Sequence, residues 1–165
     1  MLTIREAAQE DLPALLAIYN YAIVHTTATF DLEEQTLEER EEWFSHYGGV
    51  HPLIVAELDG QVAGYGSLSP FRSKPAYART VENSVYIDPA FFGQGIGARL
   101  LEELLVRARA LGHHAVLAGI TGGNTASIRL HEKFGFRHVG TFPEVGFKFG
   151  AWQDVSFYQL VLGDS

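Results

Sequence analysis

The chain has 165 residues, 47% of them hydrophobic, and a formal net charge of −8 at pH 7. This length and apolar content suit one buried core, so residues 1–165 are expected to form a single domain. The acidic balance argues against nonspecific binding of nucleic acid, which needs a basic face. The absence of cysteine excludes disulfides, thiolate metal sites and acyl-cysteine intermediates.

Membrane and targeting signals are missing from the pattern. The apolar runs are too short to span a bilayer, and the first residues lack a basic flank followed by an apolar stretch. We therefore expect a cytoplasmic protein with no membrane partner. The acidic segment Glu33–Glu42 is interpreted as a solvated helix face.

The first half of the chain predicts three kinds of element. "LTIREA" is typical of a strand, and "DLPALLAIYNYAI" repeats its apolar residues at helical spacing. Thr36 with Glu39 forms a capping box that predicts the start of a second helix. Two β-rich runs around Asp59-Gly60 indicate a hairpin, and "RTVENSVYID" a further strand.

The second half begins with a glycine-rich turn, "FGQGIGA", followed by a long helix that Gly112 is expected to end. The predicted buried stripe of this helix is Ile96, Leu100, Leu101, Leu104, Leu105, Ala108 and Leu111. A strand ("HAVLAGI"), a short helix ("TASIRLHEKF") and two strands ("RHVGTF" and "VSFYQLVL") follow. This order predicts an α/β (α+β) fold, with a mixed central sheet and helices on both faces.

The glycine turn itself is open to several interpretations. Gly93, Gly95 and Ala98 match a relaxed dinucleotide fingerprint, but position 118, where the ribose-binding acid would stand, is alanine. A P-loop is excluded because no Gly-Lys-Ser/Thr follows. The backbone amides of a helix start can bind a pyrophosphate, whereas a ligand-free bend fits the turn alone equally well.

Two segments together narrow this choice. "GQGIGARLLEELLVRARALG" and "GNTASIRLHEKFGFRHVG" resemble the GNAT superfamily of acetyl-CoA-dependent N-acetyltransferases. The matching positions are Gly95, Gly97, Asn124, Ser127, Leu130, Lys133, Gly135 and Phe136. Phe92 and His131 depart from the usual Gln or Arg and the usual Tyr. "RTVENSVYIDP", "SIRLHEKFGF" and "VGFKFGAWQDVSFYQL" are similar to the phosphinothricin and methionine sulfoximine or sulfone N-acetyltransferases, in which His at this position is the rule.

The resemblance implies acetyl-CoA as cosubstrate, with no metal. The implied cofactor contacts are Val85, Tyr86, Ile87, Gly93, Gln94, Gly95, Ile96, Gly97, Ala98, Asn124, Ser127 and Lys133. The backbone of Val85–Ile87 would pair with the pantetheine arm and place an N–H at the thioester oxygen, and the turn would hold the pyrophosphate. No histidine spacing indicates a metal site.

Glu82 is the expected general base, and His131 is expected to orient groups or protonate the thiolate. From the residues alone, Glu82 could instead pair with Arg79 or Arg72, and His131 could be an ordinary buried or surface residue. The expected substrate wall is Arg72, Pro75, Ala76, Tyr77, Arg79, Glu82, Asn83 and Ser84, with the arginines on an amino-acid carboxylate.

The aromatic tail is expected to be mostly core, and the resemblance implies that part of it forms a homodimer face that closes the pocket. Its aromatic residues are Phe147, Phe149, Trp152, Phe157 and Tyr158. Lys148 is expected to project into the site. The expected substrate is a small amino acid of the methionine sulfoximine, methionine sulfone or phosphinothricin type. The alternatives are another amine, such as a polyamine or a protein N-terminus, and a non-catalytic acyl-CoA sensor.

Overall fold

The computed structural model describes residues 1–163. The strands are β1 (Leu2–Glu6), β2 (Leu53–Leu58), β3 (Gln61–Pro70), β4 (Thr80–Ile87), β5 (Ala115–Thr121), β6 (Arg137–Lys148) and β7 (Ala151–Val161). The helices are α1 (Leu12–His25), α2 (Leu37–Phe44), α3 (Ile96–Ala110) and α4 (Thr125–Lys133). The strands form one mixed sheet in the order β1-β2-β3-β4-β5-β7-β6, which confirms the predicted fold class.

Local sequence signals account for the element boundaries. Asp59 and Gly60 both have positive φ, as a two-residue hairpin turn requires between β2 and β3. The Thr36 hydroxyl accepts the amide of Glu39 at the start of α2, and the Glu39 carboxylate accepts the amide of Thr36. Gly112 follows α3 with a φ of +83°, so the predicted helix end is confirmed.

The alternation of β2 divides the core into two layers. Ile54 and Ala56 pack with α3 on one face of the sheet, whereas Leu53 and Val55 pack with α1 on the other. The buried stripe of α3 is as predicted from Ile96 to Ala108. The prediction is wrong for Leu111, which is 37% exposed because it lies beyond the last residue of the helix, at the C-cap position.

The last two strands are longer than the sequence pattern indicated. They meet at Phe149-Gly150, where both residues have positive φ, and extend beyond the body of the sheet. Phe147, Phe149 and Trp152 lie on this extension and are more than half exposed, so the expectation that they are core is wrong. Tyr158 is buried, as expected. Among residues 1–163, no helix is long and apolar enough to cross a membrane.

The sheet splits between β4 and β5. These parallel strands pair only from Thr80 to Glu82, after which β4 continues beside β3 and β5 continues beside β7. The divergence leaves one edge of β4 without a partner strand over residues 83–87. It also opens a cleft at the carboxyl ends of two parallel strands, where ligands of open α/β sheets characteristically bind.

Candidate active site

The cleft between β4 and β5 has a volume of about 230 Å³. Its walls are Ala28, Asn83, Ser84, Val85, Tyr86, Ile87, Gly97, Ala118, Gly119, Ile120, Thr121, Asn124, Ala126, Ser127, Leu130 and His131. The set includes the three β4 residues predicted to face the pantetheine arm. We call this space the β4–β5 cleft.

The glycine turn lies at the start of α3, beside the β4–β5 cleft. Gly93 and Gly95 have φ values of +78° and +75°, which favour glycine because other residues are strained there. Gly95 caps α3 without any side-chain hydrogen bond, so the first amides of the helix stay available to a ligand. Gly97 lines the cleft, whereas Phe92 is exposed. The arrangement can accept an anionic group at the end of the cleft.

Helix α4 supplies the opposite wall. The Asn124 side chain accepts the amide of Ser127 and so caps the helix, and the two residues line the β4–β5 cleft together with His131. The predicted common face of these residues is therefore observed. Lys133 is exposed and does not line the cleft.

His131 is buried, and both of its ring nitrogens face oxygen atoms. Nδ1 lies 2.7 Å from the Ser127 carbonyl oxygen, and Nε2 lies 3.3 Å from Oδ1 of Asn83. Both oxygens only accept, and Nδ1 makes the shorter contact, so in the neutral ring we assign the proton to Nδ1. Burial lowers the pKa of His131, although the hydrogen bond to Ser127 opposes this effect. The neutral ring therefore has no proton on Nε2.

The Asn83 side chain is directed away from the expected substrate wall. It is buried, and its amide donates to the Leu117 carbonyl on β5, 3.2 Å away. This bond turns Oδ1 toward His131. Because residues alternate along β4, the Asn83 side chain lies on the opposite sheet face from those of Glu82 and Ser84.

Glu82 is half-buried at the end of the short β4–β5 pairing. Its Oε2 lies 3.4 Å from the point that a side chain on Gly119 would occupy, so the glycine makes room for the carboxylate. Burial raises the pKa of Glu82. Within the described part of the chain, the carboxylate has no hydrogen bond or ion pair, so it is not the partner of Arg72 or Arg79.

The two arginines of the expected substrate wall lie elsewhere. The Arg79 Nε donates to the Gly112 carbonyl, 2.8 Å away, in the loop after α3. Arg72 is exposed and stacks over Phe71, which also contacts the ring of Tyr77 edge-on. The short 3₁₀ turn Pro75–Tyr77, which includes Ala76, is exposed and lines neither the cleft nor its neighbouring cavity.

A second cavity of about 260 Å³ adjoins the cleft on the α1 and α2 side of the sheet. It is lined by Tyr19, Asp31, Gln35, Arg40, Trp43, Tyr47, Tyr65, Ser67, Ser84 and Tyr86. We call it the aromatic cavity. Ser84 and Tyr86 line both spaces, so β4 forms their common wall.

Sequence reasoning missed Arg40, which is only 2% exposed. The acidic segment around it was interpreted as a solvated face, and the flanking glutamates are indeed exposed. Arg40 instead stacks over the rings of Tyr19 and Trp43, 4.0 and 3.9 Å from their centroids. The available signal was its position three residues before Trp43 and four before Phe44, which puts it on the aromatic face of α2.

The loop after α1 covers the junction of the two spaces. The Thr121 hydroxyl donates to the Thr27 carbonyl, 2.7 Å away, and the buried Lys148 Nζ donates to the Thr29 carbonyl, 2.8 Å away. Lys148 is therefore committed to this loop and lines neither cavity, contrary to the expectation that it projects into the site.

Comparison with known proteins identifies the family. The model of the acetyltransferase (GNAT) family matches residues 15–136. An L-methionine sulfoximine/L-methionine sulfone acetyltransferase of Salmonella typhimurium is 41% identical over 164 residues, covering 99% of this chain and 96% of the relative. A phosphinothricin N-acetyltransferase of Streptomyces coelicolor is 44% identical over 163 residues, covering 96% and 95% respectively.

A solved structure places the fold in the same family. The crystal structure of a GNAT superfamily phosphinothricin acetyltransferase from Sinorhizobium meliloti, in complex with acetyl-CoA, superposes with a TM-score of 0.95. It is 37% identical, and the match covers 98% of this chain and 89% of that one. The chain therefore belongs to the GNAT family of acetyltransferases.

Proposed function

We propose that this enzyme transfers an acetyl group from acetyl-CoA to the α-amine of a small amino acid, by direct transfer in a ternary complex. The observation that carries the proposal is the position of Glu82. Its unpaired carboxylate lies beside Gly119, which is a wall residue of the β4–β5 cleft, while a helix start with free amides lies at the cleft's end. A base and an anion-binding turn thus serve one space.

The residues of the cleft fit acetyl-CoA. The amides of the Gly93–Ala98 turn would hold the pyrophosphate, and the unpaired edge of β4 at Val85–Ile87 would pair with the pantetheine arm as an added strand does. Bound acetyl-CoA supplies the acetyl thioester that the amine attacks. An N–H of the β4 edge then donates to the thioester oxygen as negative charge develops on it.

Glu82 removes the proton that the attacking amine must lose, directly or through a water molecule. A free α-amine has a pKa of roughly 8, so a substantial part of the substrate still carries the extra proton near neutrality. Because burial raises the pKa of Glu82, its carboxylate is a better proton acceptor than a solvated one.

His131 is proposed as a positioning residue. Its neutral ring holds its proton on Nδ1 against Ser127, so Nε2 has none to give to a departing thiolate. The ring instead packs beside Asn83, whose amide donates to Leu117 and so joins β4 to β5 at the wall of the cleft. This packing supports a role in fixing the width of the cleft.

Methionine sulfoximine, methionine sulfone and phosphinothricin are the proposed substrates. The two relatives named above act on these amino acids according to their names, and they align with nearly the whole chain. The aromatic cavity beside Ser84 offers this chain a space of suitable size for such a side chain and its carboxylate.

A homodimer is proposed from the exposed aromatic surface of the β6–β7 extension. Phe147 packs edge-on against Trp152, yet both are more than half exposed, as is Phe149. A contiguous apolar surface of this kind is typical of an interface. In sedimentation velocity, the wild-type protein should sediment as a dimer and Trp152→Arg as a monomer. A wild-type protein that sediments as a monomer would contradict the proposal.

The substrate proposal is tested by CoA release over a panel of amines. The panel holds methionine sulfoximine, methionine sulfone, phosphinothricin, ordinary amino acids, spermidine and a short peptide. Saturable turnover confined to the first three supports the proposal. Turnover on spermidine or the peptide alone contradicts the substrate, and acetyl-CoA binding without any turnover indicates a sensor.

A further inference from the structure

We propose that Arg40 is the carboxylate receptor of the amine substrate, and that the aromatic cavity is where the amino acid's α-carboxylate binds. The inference rests on the proposed function, because it deepens the description of the amine side of that site. It replaces Arg72 and Arg79, the two residues that the sequence favoured for this task.

Arg40 is buried although two of its guanidinium nitrogens have no partner among the described protein groups. The side chain is 2% exposed, yet among the described residues Nε and Nη2 have no hydrogen-bond partner. A buried guanidinium whose donors meet no protein acceptor is costly, and an incoming anion would offset that cost. The unused donors therefore point to an anionic ligand.

The guanidinium of Arg40 is held in a fixed orientation by two aromatic rings. Tyr19 and Trp43 contact the guanidinium through their ring faces, at 4.0 and 3.9 Å from the centroids. Stacking fixes the plane of the group and leaves the N–H bonds to be used within that plane. A planar fork of donors matches a carboxylate, which accepts two parallel hydrogen bonds.

Other unpartnered groups meet Arg40 in the same cavity. The Tyr65 hydroxyl is buried without a partner in the described structure, and so is Oε1 of Gln35. Both residues line the aromatic cavity. Three side chains with buried polar atoms that no protein group satisfies, two of them on the buried residues Arg40 and Tyr65, indicate a polar ligand rather than an apolar filling.

Asp31 is the acidic residue in the wall of this cavity. Its carboxylate accepts a hydrogen bond from the Tyr19 hydroxyl, and within residues 1–163 it forms no ion pair with Arg40. Asp31 therefore moderates the positive charge of the cavity without occupying the guanidinium's donors. It also lies on the loop after α1, to whose carbonyls Thr121 and Lys148 donate.

The position of the cavity completes the argument. Ser84 and Tyr86 separate it from the β4–β5 cleft, and the Glu82 side chain lies on the same face of β4 as theirs. An amino acid whose carboxylate binds Arg40 can direct its amine toward this strand and its base. Arg79 does not line this cavity, and its Nε donates to the Gly112 carbonyl.

The test compares ligands that differ only in the carboxylate. Wild type, Arg40→Met and Arg40→Lys are assayed with methionine sulfone and with its carboxamide, and Arg109→Gln serves as an exposed control. We expect wild type to prefer the acid by about 30-fold or more in kcat/KM, and Arg40→Met to lose most of that preference. Arg40→Lys, which keeps the charge but not the fork, should retain an intermediate preference.

Binding is measured separately from turnover. Trp43 is one of the chain's two tryptophans, so in a Trp152→Phe background its fluorescence reports ligands that reach Arg40. Methionine sulfone should change this signal saturably, and Arg40→Met should abolish the change while acetyl-CoA still binds. Retained acetyl-CoA binding shows that the variant is folded, and Arg40→Lys serves if the apolar variant does not fold.

Three outcomes overturn the inference. One is an Arg40→Met enzyme that keeps the full preference for the acid over the carboxamide. Another is a variant that instead loses the preference for methionine sulfone over methionine, which would assign Arg40 to the sulfonyl oxygens. The third is unchanged fluorescence titrations in both Arg40 variants. Saturable binding without acetylation in wild type would contradict the proposed function alone.

Discussion

The β4–β5 cleft and the aromatic cavity share a wall but are built differently. The cleft offers a ligand mainly backbone groups: a strand edge without a partner at residues 83–87 and a helix start at Gly95 without a side-chain cap. The aromatic cavity is formed mainly by side chains from α1, α2, β3 and β4, and its charged groups are Arg40 and Asp31. Backbone geometry suits a cosubstrate common to a whole family, whereas side chains can adapt to one amine.

The largest effect is expected from Glu82→Gln, which should change turnover but not the binding of acetyl-CoA in the cleft. Removing the base should lower kcat by about 10²- to 10⁴-fold. The dissociation constant of acetyl-CoA, measured by calorimetry, should not change because the cleft's backbone remains intact. Glu102→Gln, an exposed change on α3, is the control. A Glu82→Gln enzyme with more than a tenth of wild-type turnover would contradict the proposed base.

The cleft alone should respond to Gly95→Ala. A non-glycine residue at a φ of +75° costs about 1–2 kcal/mol, so the turn should shift and the KM for acetyl-CoA should rise roughly tenfold. Gly60→Ala, at a φ of +83° in the β2–β3 turn, imposes the same strain far from the cleft. It should lower the free energy of unfolding without moving that KM. Equal KM values for acetyl-CoA in the two variants would contradict the assignment of the glycine turn as the pyrophosphate site.

The pH profile separates Glu82 from His131. Activity should fall as the pH drops through the raised pKa of Glu82, because the base must be ionised. If His131 were a general acid, activity would also be lost as the pH rises through the lowered pKa of its imidazole. We expect no such loss of activity up to neutral pH. His131→Gln should reduce kcat about tenfold or less and leave the acidic limb in place. A high-pH loss that vanishes in this variant would assign His131 to thiolate protonation.

The smallest effect is expected on stability. The folded state raises the pKa of Glu82, so it favours the protonated form, and ionisation lowers the free energy of unfolding as the pH rises through that pKa. Glu82→Gln should therefore be more stable than wild type at pH 8, with the difference shrinking below the ordinary carboxyl pKa. Urea unfolding at pH 8 and pH 4 measures it, and a variant that is less stable at pH 8 would contradict the burial argument.

The two regions also differ in how far the sequence predicts them. The element boundaries could be predicted from local signals, because caps and turns depend on neighbouring residues. These signals are Thr36, Asp59-Gly60, the glycine turn and Gly112. The cavity depends on residues far apart in the chain. Nothing local to Arg40 shows that Tyr19 and Trp43 will stack on it, so the acidic neighbours suggested a solvated side chain.

The same limit applies to the residues expected at the substrate. The alternation along β4 correctly places Ser84 and Tyr86 on one face, but the pairing of Arg79 with Gly112 depends on a contact 33 residues away. The exposure of Phe147 and Trp152 was missed for a related reason. An aromatic stripe predicts burial, and the sequence does not show that the β6–β7 hairpin extends beyond the layers that could bury it.

The division of labour between the two regions is tested most directly by two dissociation constants measured in two variants. Acetyl-CoA is titrated by calorimetry and methionine sulfone by Trp43 fluorescence, in Gly95→Ala and in Arg40→Met. The account predicts that Gly95→Ala weakens only acetyl-CoA and that Arg40→Met weakens only methionine sulfone. Loss of both ligands in either variant, with the fold intact, would show that the cleft and the cavity are not separate binding regions.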